Sequence, residues 1–205
     1  MLHESLVVLD FETTGLRPHE GDRITEVGLV RIEGGRIVDR YQSLANCDVH
    51  VPRFITAYTG ITQQMVDSAP PVSMVMREVA DFIGDTPVVA HSASFDERFF
   101  VQECRRQRMS MVIEPFLCSM RISRRMYPHL ESHALGVLAH SLKLPRCGTA
   151  HRAAVDAEMT AQLMLKVGRD LARMREGVAV TTRLLRHLMR IPVAQVQSGI
   201  TRLCA

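Results

Sequence analysis

Asp10 and Glu12 stand two residues apart at the end of the apolar run Leu6-Val7-Val8-Leu9. On an extended strand that spacing puts both carboxylates on one face, with Phe11 on the other. Two acids so close, at the edge of an apolar segment, repel each other and lose hydration unless something positive joins them. A strand that has already ended explains them equally well, with both acids solvated in a turn before Thr13-Thr14-Gly15. Asp156 favours the first reading. Met159, Leu163 and Val167 follow it at +3, +7 and +11. At about 100° per residue the four share one stripe, so Asp156 heads the core-facing side of a helix. The helix dipole, worth about 0.3–1 kcal/mol, explains an acid in a first turn but not its place on the apolar stripe.

Asp96 repeats the pattern, with Phe99 and Phe100 at +3 and +4. Ser94-Phe95-Asp96-Glu97 fits a capping box, so an ordinary first-turn role competes here with a catalytic one. His151 precedes Asp156 by five residues, about 140° apart on a continuous helix. For both to reach one site, His151 must lie on the loop before the helix, where Gly148 and Thr149 allow it. Each of the four acids falls near the end of a strand or the start of a helix, which suggests one pocket. Their charge of about −4 would be matched by two divalent cations, and all-oxygen ligands without cysteine favour Mg²⁺ or Mn²⁺. Two such ions, about 3.5–4 Å apart, suit in-line attack on a phosphodiester: one activates water and the other stabilises the leaving oxygen. A neutral histidine nearby is suited to take the water's proton.

The elements that must hold these residues follow from the hydrophobic pattern. Leu6–Phe11 is expected as a buried strand, and Gly34-Gly35 as a tight turn joining strands 24–32 and 36–44. After Pro70-Pro71 a helix carries Val72, Val75, Met76, Val79, Phe82 and Ile83 on one face and stops at Gly84. Val88-Val89-Ala90 is a further short strand. Helices are expected from Ser94 to about Arg108, from near Ser132, and from about Ala153 to Leu171. The order predicts an α/β domain, a mixed sheet flanked by helices.

Three segments resemble the motifs of the DnaQ-like (DEDDh) 3′–5′ exonucleases, the family that includes the proofreading subunit of bacterial DNA polymerase III. They are Val7-Val8-Leu9-Asp10-Phe11-Glu12-Thr13-Thr14-Gly15-Leu16, Val89-Ala90-His91-Ser92-Ala93-Ser94-Phe95-Asp96 and His151-Arg152-Ala153-Ala154-Val155-Asp156-Ala157. Gly60-Ile61-Thr62 and Ser132-His133-Ala134-Leu135 also fit, and the similarity spans about residues 5–170. The resemblance implies a ribonuclease H-like fold with a five-stranded mixed sheet. It implies that Asp10 bridges two metals, that Glu12 and Asp156 complete the first site, that Asp96 supports the second, and that His151 is the general base. Thr13, Gly15 and Leu16 would line the pocket for the terminal nucleotide, with Tyr58 and Thr59 as further substrate contacts. Tyr58 has two readings, a base-stacking platform worth about 1–3 kcal/mol or a packing residue. The chain departs from the family pattern at Ser92, where asparagine is common, and at Thr59, where histidine is common.

The 205 residues, 46% hydrophobic and 23% charged, suit one domain, expected over residues 1–172 with a basic helical extension over 173–205. Residues 171–205 carry six arginines against Glu176, which leaves about −2 of the net +3 for the rest. The body must therefore grip a polyanion locally, through metals. An amphipathic helix over 178–191 would present Arg183, Arg186 and Arg190 either as a solvated face or to substrate or a partner. Five scattered cysteines without paired spacing read as reduced, packed thiols. The opening residues show no signal-peptide pattern and no run approaches a membrane span, so a cytoplasmic protein is expected. The function expected is removal of nucleotides from the 3′ end of single-stranded or frayed DNA. Exoribonuclease or oligoribonuclease activity and a non-catalytic scaffold are the alternatives. Nothing in the sequence separates DNA from RNA or supports a polymerase partner.

Overall fold

The computed structural model describes residues 2–110, 114–145, 151–174 and 179–196. Gly148 and Thr149, expected in the loop before the last long helix, lie outside them, as do Arg175, Glu176 and Arg202. Strand β1, Leu6–Thr13, is buried on both faces over its first four residues, as a continuous apolar run requires of a central strand. It extends two residues past the expected end at Phe11, so Asp10 and Glu12 are strand residues with alternating partners rather than turn residues. Strands β2, Ile24–Glu33, and β3, Arg36–Leu44, form the expected hairpin. Gly34 (φ 56°) and Gly35 (φ 74°) supply the left-handed turn.

Three helices follow: α1, Arg53–Thr59; α2, Gln63–Asp67; and α3, Val72–Ile83. Strand β4, Val88–Ala90, then leads into helix α4, Ser94–Arg106. Strand β5, Leu117–Cys118, and helix α5, Ser119–Met126, come next, followed by α6, Leu135–Ser141, α7, Ala153–Met174, and α8, Thr182–Leu188. The sheet order is β3-β2-β1-β4-β5. β1 pairs antiparallel with β2 and parallel with β4, and β4 pairs parallel with β5. This is the mixed sheet flanked by helices expected from the hydrophobic pattern, with the five strands that the family resemblance implies; β5 had no reading of its own in the pattern.

Several boundaries differ from the sequence reading. The first turn of α4 has no capping box: Ala93 precedes it without a side-chain cap. Glu97 instead accepts the Phe116 main-chain N–H at 3.4 Å, tying α4 to the segment before β5. Helix α6 begins at Leu135 rather than near Ser132. Helix α8 is shorter than the expected 178–191 stretch because Val180 bridges to Leu2 in extended form. Its Leu184, Leu185 and Leu188 are buried in the same core as the sheet. Cys47, Cys104 and Cys118 are buried free thiols. Among the described residues no helix is long and apolar enough to cross a membrane.

Helix α7 lies across β1 and β2, and its first turn touches the sheet at Gly28. A Cβ on Gly28 would stand 2.4 Å from the main-chain carbon of Ala153, a clash that backbone cannot relieve without moving. Gly28→Ala should therefore lift the start of α7, which carries Asp156, off the sheet. We expect a loss of about 1–3 kcal/mol in urea unfolding, the usual cost of overpacking, together with weakened Mn²⁺ binding in calorimetric titration. Wild-type values for both would refute this account of the close approach.

Candidate active site

Asp10 and Glu12 emerge from the C-terminal half of β1 opposite Gly28 and Glu26 of β2. Asp156 arrives from the first turn of α7, the helix that Gly28 admits. One carboxylate oxygen from each of Asp10, Glu12 and Asp156 lies within 4.8 Å of the others. Met159, Leu163 and Val167, the apolar stripe beneath Asp156, are all buried. Asp96 reaches the same region from α4 and is 2% exposed. Its Oδ1 accepts the Phe11 main-chain N–H at 3.2 Å, so one oxygen is held by β1 itself. Phe99 and Phe100, three and four residues on, anchor that turn in the core.

The electrostatics explain why such a cluster needs a cation. Burial pushes the Asp10 carboxyl well above its ordinary value, and Asp96, Asp156, Glu12 and Glu26 add repulsion. Glu12 is pushed up to about 7 by burial, then by Asp156 and Glu26, against an opposing effect of Arg152. Burial also raises Asp96 and Asp156, each partly offset by a main-chain N–H, from Phe11 and His151 respectively. These hard oxygen donors on a rigid strand and helix suit divalent cations: Asp10, Glu12 and Asp156 would hold them. Because folding raises these carboxyl values, the folded protein holds more protons than the unfolded chain between about pH 4.5 and 7, the window Glu12 spans. Stability without metal should then fall as pH rises through that window. Calorimetry in EDTA should show Tm decreasing, by about 2–4 °C for each kcal/mol lost in a chain of this size, and Mg²⁺ or Mn²⁺ should reverse the trend. A Tm that is flat or rises in EDTA would contradict the burial of unpaired charge.

His151 lies on the loop just before α7, as its spacing to Asp156 demanded. Its backbone is left-handed (φ 64°) and its main-chain N–H donates to Asp156 Oδ2 at 3.2 Å. The imidazole packs on the Tyr58 ring, with centroids 4.0 Å apart and planes tilted by 36°. The partner of Tyr58 here is therefore the histidine, an arrangement with no sign in the sequence. Tyr58 is 61% exposed and close enough to Glu12 and Asp156 to feel their charge, and Leu16, on the loop that follows β1, is 70% exposed.

The Thr13–Leu16 loop is fixed by its own hydrogen bonds. Thr13 Oγ1 donates to the Gly15 carbonyl at 2.6 Å, and Asp22 accepts the Arg17 main-chain N–H at 2.8 Å. Arg106 reaches the Pro18 and Asp22 carbonyls at 2.5 and 3.1 Å and pairs with buried Glu103, clamping the loop to α4. Thr59 is turned inward: its hydroxyl donates to Ile55 O at 2.9 Å and accepts the Ile61 N–H at 3.1 Å.

Sequence reasoning missed two residues here. Glu26, fully buried, takes Arg152 Nη2 at 2.6 Å and the Ala153 main-chain N–H at 3.0 Å. It thereby pins the start of α7 to β2, directly across from Glu12. The available signal was an acid inside the apolar Ile24–Ile32 run. His91 is the other positioning group. Its Nε2 donates to the His133 carbonyl at 3.0 Å, which leaves Nδ1 to accept the Ser119 hydroxyl at 2.8 Å. Burial lowers the imidazole to about 4, so it is neutral and ties the end of β4 to α5 and the segment before α6.

A five-stranded mixed sheet presenting acids from its central strand and two flanking helices is the ribonuclease H-like fold. Comparison with known proteins agrees. The exonuclease family model RNase_T matches residues 7–164, and the chain belongs to that family. It is 30% identical over 171 residues to DNA polymerase III subunit epsilon of Aquifex aeolicus, covering 83% of this chain and 84% of that one. It is 34% identical over 188 residues to the 3′-5′ exonuclease DinG of Bacillus subtilis, covering 92% of this chain but 20% of the relative. It spans 12% of the length of the PolC-type polymerase III relatives it matches. Among solved structures, exonuclease X in complex with 5′ overhanging duplex DNA is similar with a TM-score of 0.63 and 27% identity, over 80% of this chain and 91% of that one. The chain thus carries an exonuclease domain of the DnaQ-like kind.

Proposed function

We propose that this chain removes nucleotides one at a time from the 3′ end of single-stranded or frayed DNA, releasing nucleoside monophosphates. The observation that carries the reading is the Asp10, Glu12 and Asp156 cluster, with oxygens within 4.8 Å of one another beside exposed Leu16 and Tyr58. Two divalent cations, Mg²⁺ or Mn²⁺, would activate water and stabilise the leaving oxygen. Asp10, which faces repulsion from Asp96 as well as from Glu12 and Asp156, would hold these cations together with Glu12 and Asp156. Asp96 offers the oxygen that Phe11 does not occupy. His151, carried beside Asp156, takes the proton of the attacking water. Leu16 and Tyr58 supply apolar contact to the terminal nucleotide, Thr13 and Gly15 shape its pocket, and Thr59 sets the turn that presents Tyr58. In this reading residues 1–172 form the catalytic domain and 173–205 its basic extension. Similarity to a polymerase III epsilon subunit supports proofreading in the cytoplasm, at 3′ ends that a polymerase generates.

The deciding experiment uses 5′-labelled DNA and RNA strands of equal sequence with Mg²⁺, Mn²⁺ or EDTA. A ladder of shortening DNA products, abolished by EDTA, is the expected result. No ladder on either strand would overturn the exonuclease reading, and faster shortening of RNA would make the protein an exoribonuclease.

A further inference from the structure

Beyond Asp96, the edge of the sheet that carries the acids opens into a groove with no part in the chemistry above. β1, β4 and β5 are mutually parallel, so their C-terminal ends share one edge. Asp10 and Glu12 stand there on β1. Ser92 and Ser94 follow β4, and Met120 and Arg121 follow β5. Between them lies a cavity of about 380 Å³ lined by Ser92, Ser94, Cys118, Arg121 and Arg124, with Glu97 as the carboxylate among its lining residues. Met189 closes one side. A second, separate cavity of about 400 Å³ is lined by Arg183 and Arg186 of α8 and by Arg190 just after it, with Glu114 as its carboxylate.

The arginines around these cavities divide by what they hold. Arg121 Nη2 donates to Met189 O at 2.8 Å and Arg125 Nε to Ile191 O at 3.2 Å, which fixes the end of α8 against α5. Arg186 pairs with Glu114. Arg124, Arg183 and Arg190 are exposed and have no carboxylate partner among the described residues. A row of unpaired guanidiniums with serine hydroxyls beside them matches the phosphate oxygens of a polynucleotide, and guanidinium forks bind phosphate in two-pronged fashion. The flank occupied by Leu16 and Tyr58 offers apolar surface and suits a base, whereas this flank offers donors and positive charge and suits a backbone.

We propose that the groove between α4 and α5, continued by the exposed face of α8, holds the sugar-phosphate backbone of the strand on the 5′ side of the nucleotide being removed. The inference rests on the exonuclease reading and deepens it. It gives the basic C-terminal helix a use although its apolar face is packed into the core. It also gives the chain a second grip on the strand: residues 1–170 carry a net charge near −2, and the arginines of 171–205 supply positive charge that they lack.

The test compares Arg124→Glu and Arg190→Glu with wild type on two substrates. One is the p-nitrophenyl ester of thymidine 5′-monophosphate, which has no strand 5′ of the scissile bond. The other is a DNA strand of about 12 nucleotides, within the usual range of single-strand site sizes. Each variant should lower the strand-to-ester ratio of kcat/KM, for Arg124→Glu by about tenfold, through KM rather than kcat. The slope of log KM against log salt should fall by about 0.7 for each phosphate that is no longer neutralised. Arg36→Glu, the same charge change at the far edge of the sheet, should leave ratio and slope alone. An unchanged ratio in both groove variants would overturn the proposal, and so would equal losses on ester and strand. If wild type cleaves neither substrate, the exonuclease reading fails by itself. Fluorescence anisotropy of the labelled strand with the same variants then decides the groove: weaker binding supports it and unaltered binding overturns it.

Discussion

Asp10→Asn should yield a folded protein that has lost at least about 10³-fold in exonuclease activity, the upper range for removing one electrostatic group from a catalytic site. Asp10 is opposite Gly28 in the middle of the sheet, and its carboxylate is the one that all four other nearby acids press upon. Asparagine keeps the shape of the side chain but removes the charge that a cation needs. The same change removes the repulsion, so in EDTA at about pH 8 the variant should melt above wild type, because ionised carboxylates crowd the metal-free site there. The ladder assay, Mn²⁺ titration calorimetry and thermal unfolding read the three effects. Loss of activity together with a lower Tm in EDTA would show that Asp10 supports the fold rather than straining it. Retained activity would place the chemistry elsewhere.

His151→Ala should reduce turnover by about 10²–10⁴-fold, the range for losing a positioned general base, while Mn²⁺ affinity is retained. The geometry separates the two effects. Asp156 is oriented by the main-chain N–H of residue 151, which any side chain leaves in place, whereas the imidazole is held by the Tyr58 ring. Since residue 151 has a left-handed backbone, alanine brings some strain of its own. His151→Asn tolerates that conformation better and should show the same catalytic loss, which isolates the ring from the backbone. Weakened metal binding in both variants would make the histidine a ligand or a scaffold instead of a base.

The legible part of the site is the part written in short-range periodicity. Asp10 and Glu12 follow a β-branched run at a spacing of two, and Asp156 heads a stripe of Met159, Leu163 and Val167, so their direction toward the core can be read from strand and helix geometry. Asp96 is ambiguous in sequence, because an acid in a first turn has a local explanation. In the structure the expected capping box does not form, and the carboxylate is held by the Phe11 N–H. Charged residues usually mark a strand end, which is why the sequence pattern stops β1 at Phe11. Pairing with β2 carries it on to Thr13, with an irregularity between Glu12 and Thr13. The short helices α1, α2 and α5 have no strong repeat of their own and escape a reading based on periodicity. They are held by packing and by contacts such as those of Arg121 and Arg125 with the segment ending α8.

By itself the sequence determined the longer elements, the hairpin, the mixed character of the sheet and the inward direction of three acids, since strand alternation and helix stripes are local properties. Three ordered motifs also determined the family. The distances were decided by tertiary structure. Glu26 and Arg152 are separated by more than a hundred residues, yet together they pin α7 against the strand pair that carries Glu12, and Gly28 leaves the space for them to do so. The stacking of Tyr58 on His151 and the contacts of Arg121 and Arg125 with the segment after α8 have the same origin. Each depends on which elements pack side by side, and that is settled by burial of the whole core rather than by any one segment.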